Sequence, residues 1–539
     1  MASFKRLSLV TMTSCAALAL AACDGANDIA SPGSSGNVII NNPPAPTPSP
    51  TPTPTTALVT PAGGCPTLSA GALTDDGTIT GPTGTWRVCT LPSLINASTT
   101  IPKVAGVLYR LNGRVDVGCD GGFTAPTAAA PRATVTASCN GRNLTADTNV
   151  TLTIEPGAIL YGGTGTSWMA VNRGNKLVAN GTATSPIIFT SRDNVLGLET
   201  DATMGHWGGV VLMGRAPITD CDNGTPGVSC ERNTEGSSDP AVFGGLDSTY
   251  NAGSLKYVQI RYSGYVLGAD KELQGLTTEG TGTGTTLDFV QSHNSSDDGA
   301  EFFGGSVNFK HYIATGADDD SLDIDTGLQG AFQYVLLVQR PGQGDALMEV
   351  DSNGKEDNAP RQVTKVANFT AIQTQTSANN EGADLASILL RGNADLSLIN
   401  GIVISPNNEC LRMNGSSVNG SAPASLVARS VVMQCNATKY LGSGSYTAAQ
   451  VATAFGTGAN NNNDGYTPSL TSTFVNGATE TAVTATDPKT FSSFFDTTTY
   501  VGAVKTGDTW FQGWTCNSSY AGFDATTTAG RACTSLPTT

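Results

Sequence analysis

Carboxylates recurring at regular intervals are the residues in this chain whose types and spacing point to chemistry. Residues 297–305 read DDGAEFFGG, residues 319–327 read DDSLDIDTG, and residues 347–353 read LMEVDSN. The first two align at an offset of 22, setting Asp297 against Asp319, Asp298 against Asp320 and Glu301 against Asp323. The third follows at an offset of 26, setting Glu349 under Asp323 and Asp351 under Asp325. Within each copy the residues alternate. Ala300 with Phe302, Leu322 with Ile324, and Met348 with Val350 face one way, while Glu301, Asp323, Asp325, Glu349 and Asp351 face the other. Period two is the signature of a strand with one buried face.

The element that would position these acids is a solenoid, since self-similarity at 20 to 26 residues marks coils that stack on one another. Equivalent residues on stacked parallel strands lie about 4.8 Å apart. Glu301, Asp323 and Glu349 then form one outward column, and Asp325 and Asp351 part of a second. Two bare carboxylates at ~5 Å repel by roughly 0.8 kcal/mol in water and roughly 3 kcal/mol at an effective dielectric of 20. Such columns need a cation, raised pKa values or a basic partner. Calcium suits them, being a hard ion that takes six to eight oxygens. A solvated acidic face with loosely held counter-ions is the other reading. The Asp-Asp-Gly and Asp-Asp-Ser runs before each strand also read as ordinary turn chemistry.

Composition agrees with a strand-rich solenoid: 63 Gly and only 13% charged residues in 539. The formal charge of −16 argues against nucleic acid as a partner, because phosphate binding needs a basic stripe. The N-terminus reads as an export segment, with Lys5 and Arg6 ahead of a mostly apolar stretch too short to span a bilayer. It ends LAAC at 20–23, which resembles a bacterial lipobox and implies a lipid on Cys23. Asp24 next to it leaves the choice of membrane open. Removing Cys15 and Cys23 leaves an even number of cysteines, suited to an oxidising compartment. Pairing of sequence neighbours gives Cys65 with Cys89, Cys119 with Cys139, Cys221 with Cys230, Cys410 with Cys435, and Cys516 with Cys533. Zinc is disfavoured, because no C-x2-C pair exists and only three His are present.

In chain order the expected divisions are an export segment at 1–22 and a lipidated, Pro/Thr-rich tether at 23–60. An N-terminal cap at 61–145, coils at 146–435 and a C-terminal cap at 436–539 follow. The run PPAPTPSPTPTP at 43–54 would extend roughly 37 Å as polyproline. Residues 447–455 (TAAQVATAF) form the best helical stretch. Trp510, Phe511 and Trp514 serve either as end-cap core or as sugar-stacking faces. Arg391 and Arg412, 21 residues apart, either project side by side toward an acidic sugar or pair with surface carboxylates.

The phrases EPGAILYGG (155–163), RGNKLVANGTATSPIIFTS (173–191), WGGVVLMG (207–214), the two acidic repeats and YVGAVKTGDTWFQGWT (500–515) resemble bacterial cell-envelope lipoproteins with a right-handed parallel β-helix, a group of largely unassigned function. The likeness implies an all-β, parallel β-helix with disulfide-stapled N- and C-terminal caps, anchored by lipid in the bacterial cell envelope, with the outer membrane favoured. Two functional classes remain. One is a binding, adhesion or ligand-capture module, calcium-dependent if the acids hold an ion, with a glycan or an outer-membrane receptor as partner. The other is a lyase or hydrolase of acidic glycans, with calcium on Asp323, Asp325, Glu349 and Asp351 and with Lys310, Arg340 or Lys355 as base. No His-Gly pair, serine elbow or phosphate loop occurs, and His206, His293 and His311 are scattered. The binding class is favoured for want of an assembled catalytic set.

Overall fold

Each sequence repeat closes one coil of a parallel β-helix. The computed structural model describes residues 57–268, 271–352, 354–377, 386–415, 423–523 and 532–538. The export segment, Cys23 and nearly all of the expected tether lie outside the described residues. A coil consists of one long strand, such as Thr286–His293, and one short strand, such as Ala300–Phe303, joined by turns. Long strands stack into a 15-stranded sheet and short strands into an 11-stranded one, and nearly every pairing from Gly84 onward is parallel. Parallel pairing thus begins inside the stretch expected to form the N-terminal cap. What covers that end is the antiparallel strand Thr74–Gly81, laid against Gly84–Thr90.

The long strands bend where one residue per coil enters the left-handed region. Tyr257, Phe289, His311, Tyr334, Asn368, Asn400 and Ser430 all have φ between 48° and 62°. The ladder skips each of them, so they form a corner column on successive coils. Left-handed backbone is costly for a β-branched or aromatic residue and tolerable for Asn. The first four rings recover part of that cost by stacking. Tyr257 on Phe289, Phe289 on His311 and His311 on Tyr334 have centroid spacings of 4.4, 4.1 and 4.6 Å with planes within 13°.

Inside the coils, one continuous apolar core runs from Leu68 to Phe455. Phe302 packs edge-on against Phe332 at 5.0 Å, and Phe309 lies tilted against Tyr312 at the same distance. Gly401 stands in the inward column because the Phe369 ring fills the space, a Cβ there falling 2.1 Å from its Cζ. The last coil is closed by helix Ala448–Phe455, whose Thr447–Gln450 capping box fixes its start and whose Val451 and Phe455 enter the core.

Beyond the helix the chain does not stay at that end. It returns along the long-strand sheet as a strap. Asn400 exchanges two 2.8 Å hydrogen bonds with Thr486, Asn368 donates to the Tyr500 carbonyl, and Gln291 exchanges hydrogen bonds with Cys516. Arg261 and Asn194 then donate to the Cys533 carbonyl, many coils back. Under the strap, the outward residues Ile313, Leu336, Ile402 and Val432 form a second core with Phe474, Phe511 and Trp514. Phe511 and Trp514 are therefore core, with Trp510 half-buried against them. All five disulfides join the expected pairs, with S–S separations of 1.96 to 2.09 Å.

Candidate functional site: a stacked carboxylate wall

The short-strand sheet carries the acids. Its register places Glu301 opposite Asp323 and Asp323 opposite Glu349, with Phe303, Asp325 and Asp351 in the neighbouring column. Phe302, Ile324 and Val350 alternate with them and are fully buried in the coil interior. The acids consequently point outward, but not into open water. Glu301 is only 6% exposed, and the side chains of Glu349 and Asp351 are 12% and 19% exposed. Arg232, on the arm following Pro217, lies over the Phe303 ring at 5.0 Å, close enough for its charge to act on Asp325 and Glu301.

The turn acids belong to the same surface. Asp298 Oδ1 accepts from the Asp320 backbone N–H at 2.9 Å, and Asp320 Oδ1 accepts from the Ala346 N–H at 2.7 Å. Each carboxylate thereby ties its coil to the next, a turn role, yet that same tie draws the acids together. One oxygen each from Asp297, Asp298 and Asp319 lie within 4.8 Å of one another, as do oxygens of Asp298, Glu301 and Asp323. Asp298 is shared by both groups. The tightest donor clusters are thus centred about one turn away from the set expected from sequence. Glu301 and Asp323 belong to them, whereas Asp325 stands in the neighbouring column of the same coil as Asp323, and Glu349 and Asp351 lie one coil further on.

Charge balance differs between the two halves. Arg391 donates to Glu349 at 2.8 Å and lies 3.6 Å from Asp351, answering the far half with a guanidinium. Arg412 is opposite Leu389, so it does not stand beside Arg391, whose register partner is Asn414. Arg391 pairs with surface carboxylates. At the near half, Arg232 is bound to Asp220 at 2.9 Å and to Glu235. Burial, followed by neighbouring carboxylates, holds Asp297, Asp298, Glu301, Asp320, Asp323 and Asp325 well above the usual carboxylate range. For Glu349, burial and Asp351 outweigh Arg391 and push it up to about 7.

Glu279 escaped sequence reasoning. It precedes Phe303 in the second column, is fully buried, and accepts from Thr234 Oγ1 at 2.7 Å. Burial pushes it up to about 8. LTTEG gives no repeat match to the later acids, and only the register reveals the alignment.

The cations weighed as a base are dispersed. Lys310 pairs with Asp496 on the strap at 2.8 Å, Arg340 lies 3.5 Å from Asp318, and Lys355 is 2.5 Å from Asp220. His206 meets Glu199 at 2.8 Å, His293 is buried against Thr315, and His311 is bound to Asp288 within the ring stack. The donor set fits a hard divalent cation. All its side-chain ligands are carboxylate oxygens, several from different coils converge within one ion's reach, and their mutual repulsion is what an ion would relieve. Asp297, Asp298, Glu301, Asp319 and Asp323 would hold calcium, which would neutralise the wall and offer a positive centre to an anionic or hydroxyl-rich ligand.

Residues 134–515, more than half of the chain, match the family model described as the pectate-lyase like beta helix domain. No curated protein and no solved structure matches the chain.

Proposed function

This chain belongs to the pectate-lyase like beta helix family, and from that starting point we propose that it is a calcium-dependent glycan-binding module of the bacterial cell envelope. The observation that carries this reading is the pair of carboxylate clusters sharing Asp298, each within the reach of one ion. In the ion's absence the wall repels polyanions; with it the sign inverts locally, so a glycan carrying carboxylates or vicinal hydroxyls finds ligands on the metal. A lipid on Cys23 and the proline-rich stretch at 43–54 would hold such a module off the membrane.

The arginines favour binding over cleavage. A lyase of acidic glycans needs a base beside the ion, and Arg391 and Arg232 are each engaged by two carboxylates. Titration calorimetry with calcium, followed by uronate polymers with calcium present, tests the proposal. Saturable calcium heat, then glycan heat lost in chelator, is expected. No calcium heat sinks the reading, and new unsaturated or reducing ends on the polymer convert it to the enzyme. Cys23→Ala is expected to release the protein from membranes; undiminished membrane retention would end the anchor part of the proposal.

A further inference from the structure

A second site lies beside the turn that carries Asp318. Residues from the 200–204 loop, from the turn at 340–343 and strap residues Ser519 and Tyr520 line an open cleft of about 470 Å³. That volume lies within the range typical of small-molecule sites. Three separate parts of the chain build it, and polar contacts fix them to one another. The Ser519 N–H donates to Asp201 Oδ2 at 2.7 Å, and the Tyr520 hydroxyl donates to Asn294 Oδ1 at 2.5 Å. Asn294 in turn donates to the carbonyls of Asp201 and Thr203 at 3.0 and 3.1 Å.

Arg340 forms one wall of the cavity and is only 6% exposed. Its guanidinium is poorly satisfied. Nη2 reaches Met204 Sδ at 3.2 Å, a weak acceptor, and Asp318 only at 3.5 Å, while the buried Nε has no acceptor among the described residues. A buried guanidinium nitrogen without an acceptor is costly, and a ligand oxygen would relieve it. Asp201 is the other charged residue lining the cavity, and its Oδ1 makes no hydrogen bond among the described residues. Arg340, Asp201 and Tyr520 line the same opening.

We propose that this cavity binds a small zwitterion of α-amino-acid size, its carboxylate on Arg340 and its ammonium toward Asp201. One positive and one negative residue line the pocket, and Asp318 stands 3.5 Å from the positive one. A lone carboxylate would satisfy Arg340 but would add charge to a molecule already at −16 and leave Asp201 unmatched. A lone amine would do the reverse. A zwitterion answers both groups at no net charge, while Ala202 and Pro341 supply apolar surface for a short side chain and Thr200, Gln343 and Ser519 supply hydrogen-bonding groups.

The test is titration calorimetry on the full chain with glycine, L-alanine, L-serine and L-glutamine, against acetate, methylammonium and erythritol. Chelator is present throughout, so failure here is separable from failure of the calcium site. At least one amino acid is expected to bind, with acetate and methylammonium at least tenfold weaker. Ala202→Trp, on the exposed rim, should abolish that binding. Asp201→Asn, which keeps an acceptor for Ser519, should weaken the amino acid at least tenfold while leaving acetate unchanged. Arg340→Met should abolish binding as well, and if it does not fold the other two variants decide. No heat from any amino acid, acetate binding as tightly as the amino acids, or binding that survives Ala202→Trp would each overturn the proposal.

Discussion

Two flanks of the same solenoid carry stacked side chains, and they behave oppositely. On the long-strand flank, rings and amides repeat from coil to coil: Tyr257, Phe289, His311 and Tyr334 stack, while Asn368 and Asn400 bind the strap. On the short-strand flank the repeated residues are carboxylates, Glu301, Asp323 and Glu349 in one column and Asp325 and Asp351 in the other. Stacking at about 4.8 Å multiplies whatever the pair interaction is. For aromatic faces it is attractive and builds structure; for like charges it is repulsive and creates a demand for a ligand. The ring flank is satisfied from within the chain. The acidic flank is answered only in part, by Arg391 at its far end and by the charge of Arg232 near Asp325 and Glu301.

The strap supplies the largest expected effect. Trp514 is fully buried between strap and sheet, so Trp514→Ala should cost about 4 kcal/mol in denaturant unfolding. A loss below about 1 kcal/mol would mean that the strap is dispensable and that the two flanks differ less than argued.

Next comes pH. The wall carboxyls have folded-state pKa values raised above their unfolded ones, so their contribution to stability is fully present below about pH 4 and is lost as pH climbs through the folded values. Glu349 alone, at about 7, should cost the metal-free protein on the order of 2 kcal/mol between pH 5 and pH 8, read as a falling melting temperature. Millimolar calcium should flatten that slope, and chelator should restore it. A metal-free melting temperature that rises over this range would contradict a strained wall.

Neutralising the wall should act in the unusual direction. Asp323→Asn combined with Glu301→Gln should stabilise the metal-free protein by about 1 kcal/mol while weakening calcium at least tenfold. Destabilisation, or unchanged calcium heat, would show that these acids are structural.

The smallest effect sharpens the ring side. Phe289→Leu keeps the left-handed backbone but loses two stacked neighbours, and should cost about 1 kcal/mol. Phe289→Gly loses the same neighbours but relieves the backbone, so it should cost less than the leucine variant. Equal losses would remove the claim that stacking offsets strain.

Much of the architecture was legible in the chain. The 22-residue offset predicted the register of Glu301 with Asp323, because a solenoid converts sequence period directly into spatial neighbourhood. The cysteine pairs followed from proximity in sequence, since local loops close within a coil or a turn. The strap was not read. Its trace was present in YVLLV and GIVIS, apolar runs without alternation, which mark strands buried on both faces. Nothing in those runs says which distant segment covers them. The centre of the acidic site was displaced for a related reason: Asp297, Asp298 and Asp319 read as turn residues, which Asp298 is, and only coordinates show that a turn acid also faces the wall.

By itself the sequence determined the coil, the alternation of apolar and acidic residues along it, and the columns that repetition must produce, all consequences of short-range periodicity. Tertiary structure decided which acids converge on one point, that Glu279 joins their column, and that the C-terminal segment folds back to cover one flank. Those outcomes depend on contacts between residues tens to hundreds of positions apart, and no local spacing encodes where a returning chain will lie.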